Sequence, residues 1–419
     1  MSESTIYAAS WLINPHTPPI AGGALLVSDA RVVAAGTLSE LAGAHSAPVV
    51  EFPGSAIIPG FVNAHTHLEL THFPSWKLRT HVEYNPRRFV DWIIQLVKIR
   101  RGLRDEDVLM SLREGFRMCL ESGTTAVGEI VTNPALAPCY QASPLGGRLF
   151  FELLGHDPDR FRNMQDRALA ACGEHAGRFA VGLSPHSPYT IGEARLAQIR
   201  ETSSSRALPL AIHVSESREE ADFIFDTSGP LAGDFYPFVG WQEHLMPPRR
   251  CTSIELLDRF GLLSPATLAV HCVHVTLSDA ETLRERGVGV VLCPRSNERL
   301  DVGTVPLHLF KKLGIPLALG TDSLASNDSL SLWDEMRFAL NLFSRDLSPA
   351  EVFSMVTGGG AAALGIAASS GSLEPGKRAD FQVVGTGGAA AEQVLERIVC
   401  EGTVQEVYAG GEQYVGFAA

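Results

Sequence analysis

The fold of this chain is decided by one stretch of sequence, Pro59-Gly60-Phe61-Val62-Asn63-Ala64-His65-Thr66-His67-Leu68. Its apolar run is interrupted at Pro59-Gly60 and then ends in two histidines separated by one residue. Alternate residues of a strand point to the same side, so His65 and His67 present two imidazoles to one point, as a metal site requires. With 14 histidines in 419 residues, a random chain is expected to hold roughly half of one such pair by chance. The pair therefore gains weight only if further ligands follow at the ends of later strands.

Length and composition exclude several classes of function. A chain of 419 residues suits a barrel that carries a small second domain. The formal net charge of −13, without any basic block, argues against nucleic acids and anionic membranes as partners. The seven scattered cysteines contain no Cys-x-x-Cys, which favours buried thiols in a reducing compartment. The sequence begins without a signal-peptide pattern and has no long apolar run, so we expect a cytoplasmic protein without a membrane span.

Eight short apolar runs typical of strands alternate with segments of helical spacing. The runs lie at 61–67, 124–130, 148–154, 179–185, 208–214, 267–273, 288–293 and 315–322. Eight β/α units in about 300 residues predict a (β/α)8 barrel. The alternative, a doubly wound sheet, is disfavoured because no Gly-x-Gly-x-x-Gly follows an early strand.

Both ends of the chain have the β-rich, tightly turned sequence of a small β domain. We expect residues 1–57 and 368–419 to form one small β-sandwich domain, with the barrel, residues 58–367, inserted between them. The connection 226–252 is long, aromatic and rich in glycine and proline. Long loops in compact domains are often functional, so it is interpreted either as a lid or wall of a pocket or as a subunit contact.

In a (β/α)8 barrel the functional residues lie at the carboxyl ends of the strands. Five of the eight predicted strands end in histidine or aspartate. One buried histidine is more often a satisfied core residue than a ligand, but five such ends at one rim are hard to explain by packing alone. These ends carry His65 and His67, His186, His213 with Glu216, His271 with His274, and Asp322.

The motifs around these residues are Pro59-Gly60-Phe61-Val62-Asn63-Ala64-His65-Thr66-His67, His213-x-x-Glu216, Ala269-Val270-His271-Cys272-Val273-His274, Cys293-Pro294-Arg295-Ser296-Asn297, Leu319-Gly320-Thr321-Asp322-Ser323 and Leu373-Glu374-Pro375-Gly376-Lys377-Arg378-Ala379-Asp380. In kind and in order they resemble the motifs of the amidohydrolase superfamily. Within it, the chain is similar to the branch of deaminases that act on guanine, on S-adenosylhomocysteine or methylthioadenosine, and on aminodeoxyfutalosine.

The resemblance implies one divalent metal bound by His65, His67, His213 and Asp322. Three neutral imidazoles and one carboxylate favour Zn²⁺ and leave Fe²⁺ open. Two-metal members of the superfamily need a carbamylated lysine in the fourth strand, and the segment 179–185 contains no lysine. One metal ion is therefore expected.

The resemblance also implies three catalytic residues. His271 would orient the attacking water, Asp322 would accept a proton from it, and Glu216 would protonate the ring nitrogen beside the attacked carbon. The metal would lower the pKa of this water to about 7.

Four residues are candidates for binding the substrate. His186, in Ser-Pro-His-Ser-Pro-Tyr, resembles a substrate-contacting position of the branch. Arg295 offers a fork for a carboxylate or phosphate, although an ion pair at the rim explains it equally well. Glu152 is expected in the pocket because it lies near the end of the third strand, whereas Arg148 at its start should face the opposite rim. Trp76 is expected to shape the pocket, with plain packing as the alternative.

The expected function is hydrolytic deamination of an adenine-type nucleoside with release of ammonia. Aminodeoxyfutalosine, from menaquinone biosynthesis, is the first candidate substrate, because the Cys-Pro-Arg-Ser-Asn and His-Val-Ser-Glu-Ser segments look most like those of its deaminases. Deaminases of S-adenosylhomocysteine, methylthioadenosine, adenosine or guanine, and hydrolases of cyclic amides or triazines, stay open. A metal-free binding protein is disfavoured because every ligand position is filled. The resemblance also implies a homodimer.

Overall fold

The computed structural model describes residues 4–81, 85, 87–174 and 177–414, so the first three and last five residues of the expected β domain lie outside the described ranges. Two sheets organise the described chain. Their strands are β1 Thr5–Leu12, β2 Ile20–Ala21, β3 Gly23–Ser28, β4 Arg31–Thr37, β5 Val49–Pro59, β6 Phe61–Thr66, β7 Thr124–Val131, β8 Gly146–Leu153, β9 Phe179–Pro185, β10 Leu210–Val214, β11 Thr267–His271, β12 Gly289–Leu292, β13 Leu317–Leu319, β14 Phe381–Gly385, β15 Val404–Ala409 and β16 Glu412–Gln413.

Strands β6 to β13 form a parallel sheet in which each strand pairs with the next along the chain. The first and last strands meet through a parallel bridge between Thr66 and Asp322, and the Asp322 N–H donates to the His65 carbonyl at 3.1 Å. The α/β fold class with a (β/α)8 barrel is therefore confirmed. The last strand is shorter than the predicted run 315–322, because the chain leaves the ladder at Gly320 and turns Asp322 inward with a φ of +57°.

Helices cover the outside of the barrel. Their bounds are α1 Leu38–Ala44, α2 Phe73–Arg79, α3 Phe89–Arg101, α4 Asp105–Glu121, α5 Ala137–Ala142, α6 Pro158–Glu174, α7 Glu193–Arg206, α8 Arg218–Asp226, α9 Tyr236–Val239, α10 Ser253–Arg259, α11 Leu277–Arg286, α12 Pro294–Leu300, α13 Leu307–Leu313, α14 Leu332–Leu342, α15 Pro349–Met355, α16 Gly358–Ala363 and α17 Val394–Glu401. Their apolar faces pack on the strands because spacings of three and four residues form one stripe on a helix. Small and branched side chains fill the barrel interior, among them Val62, Ala126 and Val291.

The terminal strands form the second sheet, as the sequence predicts for the small β domain. Its hydrogen-bonded order is β16-β15-β14-β5-β1-β3-β4, with β2 on the edge of β1. An aromatic cluster holds the two chain ends together, since Tyr7 of β1 contacts Phe381 of β14 and Tyr408 of β15 at centroid distances of 5.1 and 5.0 Å. The boundaries 1–57, 58–367 and 368–419 remain a proposal. The strand that leads into the barrel continues to Pro59.

The connection 226–252 is folded into short helical turns rather than an open loop. A π-helical turn, Leu231–Phe235, runs directly into α9, and a 3₁₀ turn, Gln242–His244, follows. Among the described residues, no helix combines the length and apolar character needed to cross a bilayer.

Candidate metal centre and its cavity

The closure of the barrel brings the ends of β6 and β13 together. Asn63 on β6 donates through Nδ2 to Thr321 Oγ1 at 2.7 Å, and its Oδ1 accepts from the Thr321 N–H at 3.1 Å. This two-point contact fixes His65, two residues after Asn63, relative to Asp322, the residue after Thr321. An asparagine is suited to this position because its amide offers both a donor and an acceptor.

Three imidazoles converge on one point at the rim of the barrel. The Nε2 atom of His213 lies 3.2 Å from that of His65 and 3.3 Å from that of His67. His213 Nδ1 donates to the His186 carbonyl at 2.7 Å, so its Nε2 carries no proton and presents a lone pair. Burial also lowers the pKa of all three histidines, which keeps them neutral.

If all three Nε2 atoms carry lone pairs, they repel one another at this distance unless a cation lies between them. Nitrogen ligands about 2.0–2.1 Å from a tetrahedral zinc ion lie about 3.3–3.4 Å apart. The observed separations of 3.2 and 3.3 Å match that geometry. The three side chains therefore fit a divalent metal, and His65, His67 and His213 form the only such histidine, cysteine or carboxylate group found among the described residues.

Asp322, the fourth ligand expected from the sequence, lies beside the three histidines. Its Oδ1 lies 3.7 Å from His65 Nε2 and 3.6 Å from His67 Nε2. Its Oδ2 accepts from Ser296 Oγ at 2.7 Å and from Ser326 Oγ at 2.6 Å, which leaves Oδ1 for the metal. Burial alone would raise the pKa of Asp322, but the hydrogen bond with His65 and the neighbouring imidazoles hold it well below its ordinary value. The carboxylate is therefore ionised, as a ligand must be.

Glu216 and His271 lie beside this centre. Glu216 Oε1 is 3.6 Å from His271 Nε2, and His271 Nδ1 lies 3.0 Å from Asn297 Oδ1, to which it can donate. Burial, together with the charges of Asp322 and Glu220, raises the pKa of Glu216 well above its ordinary value. Glu216 is therefore a buried carboxyl group with a raised pKa, which is the character that a proton donor to a substrate requires.

A cavity of about 500 Å³ opens above the metal centre. Two of the four candidate substrate residues, His186 and Glu152, lie on its wall together with the metal-centre residues. His186 Nδ1 is within 3.0 Å of Ser187 Oγ and 3.1 Å of Thr190 Oγ1, and burial lowers its pKa to about 4. Burial raises the pKa of Glu152, which the nearby Arg100 charge opposes.

The structure does not bring Arg295 into this cavity. Its guanidinium forms ion pairs with Asp328 and, at 3.8 Å, with Glu335, beside a separate shallow surface depression. The expectation that Arg295 holds a substrate carboxylate is corrected, because acidic side chains from the following segment already occupy the fork. The alternative considered from the sequence, an ion pair at the rim, is what the structure shows.

Trp76 is also absent from the cavity wall. Its ring is buried against Leu70, Phe73 and Ile99 between α2 and α3, where it serves packing alone. Another tryptophan, Trp92 on α3, lines the cavity instead. The connection 226–252 contributes Phe235, Val239 and Trp241 to the wall, so it is a pocket wall in the described chain.

Sequence reasoning missed a group of cations on the wall. Arg100 and Arg101 at the end of α3 and Arg160 on α6 all line the cavity. One signal was available, because Arg100 follows Leu96 and Val97 at helical spacing and therefore lies on the same stripe, which itself faces the cavity.

Residues 56–414 match the family model described as the amidohydrolase family. The chain therefore belongs to the amidohydrolase family, which is metal-dependent, and it is a hydrolase of carbon–nitrogen bonds. The resemblance stated from the sequence motifs is confirmed.

Two relatives and one solved structure are similar to this chain over most of its length. The chain is similar to an aminodeoxyfutalosine deaminase of Deinococcus radiodurans, with 31% identity over 338 residues that cover 77% of this chain and 76% of the relative. It is also similar to a 5-methylthioadenosine/S-adenosylhomocysteine deaminase of Desulforudis audaxviator, with 30% identity over 388 residues that cover 88% of this chain and 83% of the relative. The crystal structure of Helicobacter pylori aminofutalosine deaminase with methylthio-coformycin has the same fold, with a TM-score of 0.86, 21% identity, and coverage of 98% of this chain and 100% of that chain.

Proposed function

We propose that this chain is a metal-dependent deaminase of an adenine-type nucleoside, with aminodeoxyfutalosine as the first candidate substrate. One observation carries the proposal. A buried carboxyl group with a raised pKa, Glu216, lies next to a set of side chains that fits one divalent ion, at the base of a cavity of about 500 Å³. A hydrolase that attacks a ring carbon beside a basic nitrogen needs this pairing of an acid with an activated water. The names of the two relatives support the same reaction.

His65, His67, His213 and Asp322 would hold the metal, and we propose zinc, with iron(II) as the alternative. When bound, the metal would supply the Lewis acidity that makes a water nucleophilic near neutral pH. The ligands need no rearrangement, because their nitrogen atoms already lie at the separations of a tetrahedral site.

The chain's own residues would move the protons. Glu216 donates its proton to the ring nitrogen next to the attacked carbon, while Asp322 takes one proton from the attacking water. His271 orients that water through Nε2, since Asn297 accepts from its Nδ1. Asp322 then passes its proton to the amino group, which leaves as ammonia. The remaining hydroxyl proton returns to Glu216 as the carbon–oxygen double bond forms.

Among the candidate substrate residues, we propose that His186 and Glu152 contact the nucleoside. His186 is neutral because burial lowers its pKa to about 4, so it offers a hydrogen bond rather than a charge. Glu152 is positioned to accept from a substrate hydroxyl on the side of the cavity that Arg100 shares. The expected homodimer stays a prediction.

The test is ammonia release by metal-loaded protein from a panel of aminodeoxyfutalosine, methylthioadenosine, S-adenosylhomocysteine, adenosine, guanine and a cyclic amide. We expect at least one adenine nucleoside to release ammonia, and Glu216→Gln to lower its kcat by about 10²- to 10⁴-fold, the usual contribution of a positioned acid. Gln keeps the size of Glu216 but has no transferable proton. Turnover of the cyclic amide alone, or full activity of Glu216→Gln, would contradict the proposal.

A further inference from the structure

The cavity wall away from the metal centre is positively charged, although the protein as a whole carries a net charge of −13. Arg100, Arg101 and Arg160 lie on this wall. Neither Arg101 nor Arg160 forms an ion pair with any residue that the structure describes; Arg101 instead lies over the ring of Phe238, 5.1 Å from its centroid. An acidic protein that concentrates cations in one cavity creates a local field that attracts an anion.

Arg100 is the member of this group that is held in place. Its Nη2 donates to Thr132 Oγ1 and lies 3.6 Å from Glu69 Oε2. Glu69 is buried and also accepts from the Thr132 N–H at 2.9 Å and the Asn133 N–H at 3.4 Å. The guanidinium is thus fixed from behind, as a group that positions a ligand must be.

Neutralising the charge of Glu69 does not by itself explain why an arginine lies at position 100. A guanidinium has five N–H donors, and among the described residues only Thr132 accepts from it within hydrogen-bond distance. The distance to Glu69 is too long for a direct hydrogen bond, and Glu69 already accepts from backbone and hydroxyl donors. About a third of the Arg100 side chain, 31%, is exposed, and this exposure faces the cavity.

Arg100 is also near the reaction centre. It lines the same cavity as His67, His186 and Glu152, which lie on three different strand ends. The surroundings of Arg100 on the same wall are apolar and aromatic, with Trp92, Leu96 and Val97 preceding it on α3. A ligand that reaches from the metal centre along this stripe would meet the guanidinium after an apolar section.

We infer that Arg100 is a specificity-determining residue that binds an anionic group, a carboxylate in the first instance, on the part of the substrate remote from the reacting carbon. The inference rests on the proposed function for the identity of the reacting end. Arg100 binds the anion as a fork, Glu69 and Thr132 position it, and Arg101 and Arg160 add charge at the mouth. A substrate with a free ammonium beside its carboxylate is disfavoured, because three cations and one acid, Glu152, line this part of the wall.

The test compares two nucleosides that differ only in charge, 5′-(2-carboxyethylthio)-5′-deoxyadenosine and its carboxamide. We expect the wild type to show a kcat/KM about 10- to 100-fold higher for the acid, the range of a charge-assisted hydrogen bond. Arg100→Met should abolish this preference, so that the kcat/KM values for the acid and the amide become equal. Arg113→Met, an exposed arginine of α4 outside the cavity, is the matched control and should keep the wild-type preference.

Calorimetric binding of both nucleosides adds a readout that does not need turnover. If no adenine nucleoside releases ammonia but the acid still binds more tightly, and Arg100→Met removes the difference, the deaminase proposal fails and the anion site stands. Equal binding of acid and amide by the wild type overturns the anion site. So does an equal loss of both in Arg100→Met, since a purely structural role would not distinguish charge. If Arg100→Met does not fold, Arg100→Lys, which keeps the charge near Glu69 but loses the fork, should show an intermediate preference.

Discussion

The end of β13 passes close to the end of β6 at Gly320. A Cβ atom at position 320 would lie 2.8 Å from His65 Cβ and 2.9 Å from both His65 N and His65 O. These are backbone and Cβ atoms that no rotamer change can move. Gly320→Ala must therefore push the two strand ends apart, and one of them carries the first metal ligand.

The magnitude follows from this geometry. Overpacking of a rigid site costs about 1–3 kcal/mol. Relief of the clash displaces His65 by at least several tenths of an ångström, close to the tolerance of about 0.5 Å for a preorganised site. We therefore expect Gly320→Ala to lower Tm and to weaken metal binding by about 10- to 100-fold, as changes around metal ligands usually do.

The assay is thermal unfolding with and without metal, together with metal titration against a competing chelator. Gly43→Ala is the matched control. A Cβ at Gly43 meets nothing within 4 Å and lies on α1, so this change should leave metal affinity unaltered and shift stability by no more than about 1 kcal/mol, upward. If Gly320→Ala binds metal and melts like the wild type, the contact between the strand ends does not position His65, and this account of the site is wrong.

Two further predictions concern the metal and the buried acids. Removing the metal with a chelator should abolish activity and lower Tm, because a metal present at about 1,000 times its Kd stabilises the folded state by about 4 kcal/mol. A Tm that does not fall on chelation, or that does not recover when zinc is added back, would contradict a bound metal. Burial raises the pKa of Glu335 from 4.5 to about 8, so the folded state holds a proton that the unfolded state releases. The stability that this protonated carboxyl group contributes is present below pH 4.5 and is lost as the pH rises through about 8. Denaturation at several pH values should therefore show the wild type losing stability relative to Glu335→Gln across that pH range.

The sequence predicted the barrel, and the meeting of the proposed ligands at one rim, because both depend on local pattern. Apolar runs of strand length fix the order of parallel strands, and that order brings every carboxyl end to one rim, so His65, His213 and Asp322 meet although they are far apart in the chain. No knowledge of side-chain contacts was needed. Chain topology accounts for their meeting at one rim, and their assignment as metal ligands came from the resemblance to the amidohydrolase superfamily.

The expectations for Trp76 and Arg295 failed because they depended on contacts that the local sequence pattern does not determine. Trp76 and Trp92 both follow the first barrel strand, and the sequence alone could not show which of them the turn at α2 directs to the cavity. Arg295 is paired with Asp328, 33 residues later in the loop before α14, and with Glu335, 40 residues later on α14 itself. Which partner a guanidinium finds depends on long-range packing, so a motif that contains an arginine does not reveal whether its fork is free.

The same long-range packing supplies a layer of buried acids behind the ligands. Glu129 on β7 accepts from the Leu68 N–H at 2.9 Å, next to His67. Glu220 on α8 accepts from the Ser215 N–H at 2.8 Å and from the Glu216 N–H at 3.0 Å.

Glu335 on α14 does the same at the turn after β12. Its Oε1 accepts from the Arg295 N–H at 2.9 Å, beside Ser296, which donates to Asp322. Burial raises the pKa of Glu129, Glu220 and Glu335, a cost that surface residues would avoid. Each of these acids satisfies backbone N–H groups in a turn that leaves the strand ladder, where no strand partner can accept from them. The turns that carry the site are therefore held by carboxyl groups from other elements of the barrel, and the position of the metal ligands depends on those acids as much as on the strands.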